Sequence, residues 1–450
     1  MATYSRRDLG RVGVGAGAAL ALNGRSTFAI AQAAAKVVIV GGGAGGATVA
    51  HYLLKDLQPG GARLDVTLIE PNPVYSSSFF SNLYLGGLRS LESLSHGYDG
   101  LRRLGVKVVH EFATAVDPAK KMVTTRGGRR FAYDRLVLSP GIDVKYDSIP
   151  GYSQDVSASI PHAYTTNEGG KRQLKFIMDG MKDGGTFAMV MPPAPYRCPP
   201  GPYERACMIA HYFKTKKPKS KLVILDPKKA FSKQPVFTEA FEKYYKDIVE
   251  LNLSNDIDDF SVTALDVKGR EITTKAGKKV KFDAANIIPA QRAGEIAIKA
   301  GLTKGDYVAI NPENFAAREA KDIYVVGDAT SLTAAEMPKS AFSANAQGKV
   351  VAADILADLA KKERFPARYR NTCWSLVAPA DAVKIGANYA PKDGKLEASG
   401  AFVSQKGEDA GVRKQNYEES VGWYAGITAD IFAKTVAAPV QTAPAKKGAG

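Results

Sequence analysis

The sequence predicts an α/β protein built from two domains with parallel sheets, followed by a C-terminal α+β interface domain. Three observations predict this class. The β-branched runs Lys36–Val40 and Asp65–Ile69 enclose a glycine-rich turn and a helical stretch, which is the order of a parallel β-α-β unit. A further apolar run, Lys221–Asp226, indicates a second parallel sheet downstream. The length of 450 residues suits about three domains at roughly 150 residues each.

The glycine-rich turn gives the first of these domains a function. Gly41, Gly43 and Gly46 have the spacing G-x-G-x-x-G directly after the first strand. Gly41 allows the tight turn, Gly43 lets the backbone approach a pyrophosphate at a helix N-terminus, and Gly46 permits close packing of helix on strand. Glu70 ends the second strand, where its carboxylate can accept hydrogen bonds from ribose hydroxyls. This arrangement predicts a Rossmann-like domain of the dinucleotide-binding type.

Two later runs favour FAD over NAD as the dinucleotide. An apolar strand ends in Gly327-Asp328, and another ends in Pro140-Gly141. The first resembles the second FAD motif of flavoproteins that have two dinucleotide domains, in which the aspartate binds ribityl hydroxyls. The second run resembles the crossover strand that closes the FAD domain in the same superfamily.

The second parallel sheet lacks a glycine turn. Its first strand, Thr186–Met191, runs into the proline-rich stretch Pro192–Pro202. Prolines lack the N–H groups that would hold a phosphate, and their rings prevent close approach. A nicotinamide donor is therefore not expected, and the second domain is interpreted as a scaffold that has lost its nucleotide motif.

The predicted boundaries follow from these elements. The FAD-binding domain is expected at 35–150 and 283–356, with the inserted NADH-domain-like domain at 151–282. The C-terminal interface domain is expected at 357–434. Residues 435–450 are of low complexity and are expected to be disordered.

The N-terminus has the pattern of an export signal. Arg6 and Arg7 precede the apolar run Val12–Leu22, and Ala29–Ala31 has an A-x-A cleavage pattern. We expect a signal peptide at 1–31 that uses the twin-arginine route, with the Sec route as the alternative. The mature protein would then be periplasmic.

Composition limits the class of protein and of partner. Apolar residues make up 45% and charged residues 24% of the chain, which argues against disorder, collagen and a membrane bundle. The net charge of +16 suits nucleic acid, a membrane surface or an acidic partner. The predicted signal carries four arginines and one aspartate, which leaves +13 on the exported chain. No nucleic-acid motif occurs, and export argues against that partner.

The three cysteines are Cys198, Cys207 and Cys373. No C-x-x-C-H motif occurs, so no c-type haem is expected on this chain, and no histidine lies at metal-site spacing from a cysteine. An exported chain would form one disulfide and keep one thiol. Cys207 lies in a helical stretch, where buried packing is the expected role. A Cys198–Cys373 bridge could be a structural staple.

Several motifs resemble one family, the flavoprotein subunit of flavocytochrome c sulfide dehydrogenase. The resemblance covers about Lys36 to Lys434. The segments that carry it are Arg197–Arg205, His96–Leu101, Pro289–Gly294, Met337–Ser340 and Asn371–Cys373.

The resemblance implies an enzyme and assigns its residues. Cys198 and Cys373 would form a redox-active disulfide beside the flavin, which sulfide attacks to leave a persulfide. Electrons would pass to FAD and then to a c-type cytochrome that carries the only haem. Glu204 would accept a proton from sulfide or a cysteine, although it could also be a helix-start carboxylate. Lys339 and the helix after it would lie near the flavin ring.

One position departs from the family pattern. Many family members attach FAD through a cysteine, and Ser78 occupies the matching place. A serine hydroxyl cannot form the thioether, so FAD is expected to be bound without a covalent link.

Two other functions stay open on the sequence alone. A sulfide:quinone reductase, from the same superfamily, would need an amphipathic membrane-binding surface near the C-terminus. A non-catalytic, flavin-carrying subunit of a sulfur-oxidation complex would have inert cysteines. Salt-dependent reduction of cytochrome would show whether the basic surface docks an acidic partner.

Overall fold

The computed structural model describes residues 34–55, 63–165, 167–256, 258–331 and 337–434. The predicted signal peptide, 1–31, and the predicted tail, 435–450, lie outside the described residues. Within the described ranges, no helix combines the length and apolarity needed to cross a bilayer.

Strands and helices alternate through much of the described chain. The strands, in chain order, are β1 Ala35–Val40, β2 Leu64–Ile69, β3 Val74–Ser76, β4 Ser95–Gly97, β5 Lys107–Val109, β6 Ala113–Asp117, β7 Met122–Thr125, β8 Arg130–Ala132, β9 Arg135–Leu138, β10 Ile142–Val144, β11 Thr186–Val190, β12 Lys221–Asp226, β13 Val249–Leu253, β14 Val262–Asp266, β15 Glu271–Thr274, β16 Lys279–Lys281, β17 Ala284–Ile287, β18 Gln291–Ala293, β19 Thr303–Lys304, β20 Tyr307–Val308, β21 Ile323–Val325, β22 Tyr369–Ala378, β23 Asp381–Lys392 and β24 Lys395–Val403. The helices, in chain order, are α1 Ala44–Lys55, α2 Ser81–Leu85, α3 Asp99–Arg103, α4 Gly169–Gly180, α5 Gly201–Lys216, α6 Gln234–Tyr245, α7 Glu295–Lys299, α8 Ala341–Leu359 and α9 Ala410–Ile431.

The first parallel sheet has the strand order β21-β9-β1-β2-β5. Val40 pairs with Ile69 and with Leu138, and Leu138 pairs with Val325. These strands therefore end level with one another, and the residues that follow them meet at one edge of the sheet. α1 and α8 pack against each other, and the buried apolar strands complete this part of the core.

The second parallel sheet, β17-β11-β12-β13, repeats the order of four of these strands, β9-β1-β2-β5, and in the part of the chain that the structure describes it has no equivalent of β21. In each region a three-stranded antiparallel sheet, β6–β8 or β14–β16, precedes the strand that returns beside the first one. Fully buried rings such as Phe187, Phe213 and Phe237 form a core around β11, α5 and α6, each stabilising the fold by about 2 kcal/mol. The predicted α/β class with two Rossmann-like domains is confirmed.

The returning strand β17 moves one predicted boundary. The expected FAD segment 283–356 includes Ala284–Ile287, but this strand pairs with β11 in the second sheet. The second region thus extends beyond the predicted end at 282. Its sequence, Ala-Ala-Asn-Ile, contains a single β-branched residue, so the sequence alone gives little indication of a strand here.

The C-terminal region contains an antiparallel sheet, β22-β23-β24, with α9 packed against β23. Strand β22 also packs against α5 of the second region. This contact brings Cys373, on β22, to the start of α5. The N-terminus of α5 is compatible with its sequence because Pro202 lies in the first turn, where no N–H is required.

Candidate active site

One cavity lies at the edge where the strands of the first sheet end. Its lining includes most of the predicted site residues, namely Gly41, Gly43, Glu70, Ser78, Pro140, Gly141, Cys198, Glu204, Gly327, Asp328 and Cys373. The fold therefore brings together residues that are up to 332 positions apart, Gly41 and Cys373. Gly46 and Lys339 do not line it.

The glycine turn is shaped by steric limits of different kinds. A Cβ at Gly41, whose φ is +98°, would lie 2.2 Å from the Ser139 carbonyl oxygen. A Cβ at Gly46 would lie 1.9 Å from the Gly41 oxygen, so this glycine serves packing beneath the turn. A Cβ at Gly43 would have Tyr75 as its nearest neighbour, at 3.6 Å. Gly43 also lines the cavity, so a ligand there could approach its backbone.

Two carboxylates lie on the cavity. Glu70 Oε2 accepts from the Gly42 N–H at 2.8 Å, and its Oε1 accepts from the backbone and side chain of Asn72. Asp328 lies in the one-turn helix Gly327–Ala329 with Arg197 Nε 3.9 Å away. Burial raises the pKa of Asp328, and Arg197 opposes the shift. Both carboxylates are positioned to accept from ligand hydroxyls.

The Lys339 side chain is held beside the cavity without lining it. Its Nζ donates to the backbone oxygens of Asp328 and Thr330 and lies 3.7 Å from the centre of the Tyr307 ring. The backbone oxygen of Lys339 accepts from Cys198 N at 2.7 Å. Lys339 therefore links the segment around Asp328 to the segment around Cys198. Ala341, at the N-terminus of α8, lines the cavity. The Lys339 ammonium group is bound by the Asp328 and Thr330 carbonyls, and its place near the flavin ring stays a prediction.

The two thiols on the cavity differ in their surroundings. Cys198 lies before α5 with φ +57°, and a Cβ at Gly201 would lie 2.8 Å from its sulfur. Burial raises the pKa of Cys198 to about 12, and Cys373 and Glu204 add to the shift. Burial also raises the pKa of Cys373, but a hydrogen bond from Asn371 and the charge of Lys233 oppose it. Asn371 Nδ2 lies 3.5 Å from the Cys373 sulfur.

The three cysteines are free thiols in this structure. The Cys198–Cys373 disulfide stays a prediction. Cys207 is fully buried in α5 among the apolar side chains of the second core and does not line the cavity. Among the described residues, no group of three or more His, Cys, Asp or Glu side chains could hold a metal ion.

Glu204 joins three elements at the cavity. It lies in the first turn of α5, but its Oε1 accepts from Leu376 N of β22 at 2.9 Å and its Oε2 from Asn82 Nδ2 at 2.7 Å. Burial raises the pKa of this carboxyl group. A carboxylate that served only the helix dipole would not need these partners. Glu204 is thus a buried group, able to hold or accept a proton beside the thiols.

Ser78 lies on the cavity wall, and its hydroxyl donates to the Thr165 oxygen at 3.4 Å. The neighbouring Lys171 is buried, with its Nζ bonded to Ser76, Thr165 and Asn167. Burial lowers the pKa of Lys171 to about 7. The position expected to carry the family's attachment cysteine therefore does face the cavity.

Several functional groups were not predicted as site residues. Arg197 and Arg205 line the cavity and belong to the motif around Cys198, so the motif itself was the available signal. Asn371 lies in the motif around Cys373. Lys233 had no sequence signal, because it lies in a loop far from both cysteines along the chain. Three half-buried rings also line the cavity: Phe342 stacks on Trp374 and on Trp423, and the two tryptophan rings are tilted against each other.

The corresponding edge of the second sheet is filled by the protein itself. Asp226 ends β12 as Glu70 follows β2, but it is fully buried. Tyr203 Oη donates to Asp226 at 2.5 Å, and Lys228 Nζ donates to it at 2.7 Å. The Tyr203 ring stacks on Phe231 with centroids 3.6 Å apart. Asp226 therefore has protein partners where Glu70, at the equivalent position of the first sheet, faces the cavity.

Three family models match parts of this chain. The model of the pyridine nucleotide-disulphide oxidoreductases matches residues 35–175. The central model of the sulfide dehydrogenase (flavocytochrome c) flavoprotein chain matches residues 171–289. The flavin-binding model of flavocytochrome c sulphide dehydrogenase matches residues 365–432.

Curated relatives and solved structures are similar to the chain as well. A mitochondrial sulfide:quinone oxidoreductase from Dictyostelium discoideum is 22% identical over 331 residues, which cover 71% of this chain and 70% of that protein. A sulfide-quinone reductase from Aquifex aeolicus is 35% identical over 107 residues, 23% of this chain and 24% of that protein. The crystal structure of the Aquifex aeolicus sulfide:quinone oxidoreductase aligns with a TM-score of 0.70 at 18% identity, covering 90% of this chain and 93% of that one. A covalent putidaredoxin reductase–putidaredoxin complex aligns with a TM-score of 0.62 at 17% identity, covering 89% of this chain and 99% of that one.

Proposed function

Because the chain belongs to the flavoprotein superfamily of pyridine nucleotide-disulphide oxidoreductases, and two of its segments match family models of flavocytochrome c sulfide dehydrogenase, we propose that it is an FAD-dependent sulfide dehydrogenase. In this proposal the enzyme delivers electrons to a c-type cytochrome. One observation carries the proposal. Two thiols, a buried carboxylate and a glycine turn of dinucleotide-binding type line the same cavity. We further propose that the mature protein is periplasmic and is exported by the twin-arginine route.

The cavity fits FAD. The open space at Gly43 and the start of α1 suit a pyrophosphate, while Glu70 suits ribose hydroxyls and Asp328 suits ribityl hydroxyls. When bound there, FAD supplies an acceptor for an electron pair and releases the electrons singly. Since Ser78 cannot form a thioether, acid precipitation should leave a colourless pellet and a yellow supernatant. A yellow pellet would show covalent attachment.

The proposed chemistry begins on a Cys198–Cys373 disulfide. Hydrosulfide attacks one sulfur, so that a new S–S bond forms and the bond between the cysteines breaks. The products are a persulfide on one cysteine and a thiolate on the other. The sulfide sulfur is oxidised by two electrons, and the disulfide is reduced by two. Glu204 accepts the proton of hydrogen sulfide or of a thiol, a role suited to a buried carboxylate on the cavity wall.

An anaerobic sulfide titration tests the core of this proposal. Sulfide should bleach the flavin absorbance of the purified holoprotein, and an oxidant should restore it with one electron pair per flavin. Cys198→Ser and Cys373→Ser should abolish the bleaching, whereas Cys207→Ser should retain it. A holoprotein whose spectrum does not respond to sulfide would refute the proposed activity.

Alkylation followed by peptide mapping tests the disulfide. Cys198 and Cys373 should be labelled only after reduction by sulfide, with Cys207 protected by burial until the protein is unfolded. Labelling of Cys198 and Cys373 before and after sulfide alike would favour the second alternative, a non-catalytic flavin-carrying subunit.

Sulfide:quinone reductase is the competing activity, because the two relatives reported above have that name. The rings of Phe342, Trp374 and Trp423 at the cavity could contact a flat quinone. Against membrane binding, the apolar side chains Ile431 and Phe432 at the end of α9 are fully buried. A detergent-free preparation should reduce cytochrome c at a higher rate than a soluble quinone; the reverse preference would assign the quinone activity.

A further inference from the structure

A lysine lies behind the strand that carries Cys373. Lys233 precedes α6 and is 5% exposed. Its Nζ donates to Ser375 Oγ at 2.8 Å, to the Cys373 oxygen at 3.2 Å and to the Val383 oxygen at 3.4 Å. It therefore holds two residues of β22 on either side of Trp374 and one residue of β23. Because all three acceptors are oxygens, the geometry suits the charged ammonium group with its three donors.

The groups that face this ammonium are mostly acids. Cys373 of β22, Cys198 of the proline-rich loop and Glu204 of α5 all favour its charged form, and Arg413 of α9 opposes it. Arg413 has carboxylate partners of its own, with Asp381 at 2.7 Å. Burial lowers the pKa of Lys233 to about 8, which shows how costly the charge is at this place. A methionine would fill the same space without that cost.

A buried cation is most useful beside a group that becomes an anion. Of the two thiol residues, Cys373 accepts a hydrogen bond from Lys233 Nζ at its backbone oxygen, and the Asn371 amide lies next to its sulfur. Ser340 Oγ donates to Asn371 Oδ1 at 2.6 Å. Both amide atoms lie near the sulfur, with Nδ2 at 3.5 Å and Oδ1 at 3.6 Å, so Nδ2 is available to donate to a thiolate. Donor and cation thus lie near the same cysteine, from different elements.

We propose that Lys233 is a positioning residue that holds the Cys373 strand and supplies the positive charge that stabilises the Cys373 thiolate. The inference rests on the proposed function, because a thiolate is formed when sulfide opens the disulfide. It concerns a residue that the sequence motifs did not mark. The lysine acts through the strand and its charge, and it does not line the cavity.

Thiol titration of the reduced holoprotein tests this role without sulfide. The protein is reduced with dithiothreitol, exchanged anaerobically and pulsed with iodoacetamide over a pH series, and the Cys373 peptide is quantified by mass spectrometry. In Lys233→Met, the apparent pKa of Cys373 should rise, and alkylation at a fixed pH below that value should slow by about tenfold, which is one pKa unit. Lys233→Arg keeps the charge and should restore most of the rate.

Lys217→Met is the matched control. Lys217 is another buried lysine whose Nζ donates to three backbone oxygens, those of Met178, Asp179 and Met181, and it lies away from the cavity. Its loss should lower the melting temperature without changing the alkylation of Cys373. If Lys233→Met does not fold, Lys233→Gln replaces it under the same criteria.

Unchanged alkylation of Cys373 in the neutral Lys233 variant, or an equal slowing in Lys217→Met, would overturn the proposal. These results are distinct from a failure of the proposed function. A wild-type protein that does not respond to sulfide would refute the enzyme, whereas the thiol titration would still report on Lys233.

Discussion

Four strands have the same order in both parallel sheets, but the loops that follow β1 and β11 differ in kind. After β1 the glycine turn leaves open space at Gly43. After β11 the chain enters Pro192–Pro202, and the acid at the end of β12 is enclosed by Tyr203 and Lys228. The same strand order is therefore combined with an accessible acid in one region and an enclosed acid in the other. We expect this difference, together with the first turn, to decide which region binds a dinucleotide.

The second region also contributes residues to the cavity of the first region. Its proline-rich loop places Cys198 on the cavity of the first region, and the first turn of α5 places Glu204 there. In α1 the helix start faces the predicted phosphate site, whereas in α5 the same position presents a carboxylate. The corner that corresponds to the glycine turn of the first region thus supplies a thiol and a carboxylate to the cavity.

The largest expected effect comes from closing the open space in the first region. Gly43→Val should fold, because a Cβ there meets nothing nearer than 3.6 Å, but its side chain would occupy the pyrophosphate position. We expect the flavin content, measured by absorbance after purification, to fall from about one per chain to near zero.

Two glycine variants bracket this test. Gly180→Val, at the end of α4 with nothing within 4 Å of the added Cβ, should keep its flavin. Gly46→Val would meet the Gly41 oxygen at 1.9 Å and should reduce the yield of folded protein. A yellow Gly43→Val protein would show that the ligand does not approach this glycine.

The next effect concerns the carboxylate that the second region contributes. Glu204→Gln should slow sulfide-dependent flavin reduction by about 10²- to 10⁴-fold, the usual contribution of a general base. Burial raises the pKa of Glu204, so the wild-type rate should rise with pH through that raised pKa, as the carboxyl loses its proton. The variant should lack this part of the pH profile in stopped-flow measurements.

Glu295→Gln is the control for Glu204→Gln, since Glu295 is an exposed carboxylate in the first turn of α7. It should leave rate and pH profile unchanged. If Glu204→Gln retained the wild-type profile, the group that titrates would be elsewhere.

A third effect concerns the stability that the buried Asp226–Lys228 ion pair gives to the second region. Lys228→Met leaves the fully buried Asp226 without its ion-pair partner and should cost about 3–5 kcal/mol of unfolding free energy in a denaturant titration. Lys229→Met, which removes an exposed pair with Asp256, should cost about 1 kcal/mol or less. NADH should reduce neither variant's flavin; reduction by NADH in Lys228→Met would show that a nucleotide site persists.

The sequence supported some of these conclusions directly and others only through resemblance. The turn Gly41–Gly46 and the proline-rich loop were readable because local backbone chemistry sets their properties. The meeting of Cys198 with Cys373 depends on β22 packing against α5, a long-range contact that spacing does not encode. The partners of a side chain are equally hidden from the sequence, since the hydrogen bonds from Lys339 Nζ to the backbone oxygens of Asp328 and Thr330 follow from the fold.

The smallest expected effect comes from Glu70, the acid of the first region. Its replacement should change the affinity for FAD, whereas Lys228→Met should change the unfolding free energy. Glu70 accepts from the Gly42 N–H and from Asn72 while it faces the cavity. Glu70→Gln keeps its shape but replaces one acceptor oxygen with a donor, and hydrogen bonds to a charged acceptor contribute about 1.5–3 kcal/mol. The dissociation constant of FAD, measured by fluorescence titration of the apoprotein, should rise about tenfold, equivalent to about 1.4 kcal/mol.

Glu250→Gln provides the surface comparison. Glu250 lies on β13 of the second region, its side chain is half exposed, and it forms an ion pair with Lys278. It should change neither FAD affinity nor stability by more than about 0.5 kcal/mol. The two acids then separate by what they control: Glu70 affects the affinity for FAD, and the partner of Asp226 affects unfolding. A Glu70→Gln protein that unfolds at much lower denaturant but binds FAD as tightly as the wild type would remove that distinction, because both acids would then be structural.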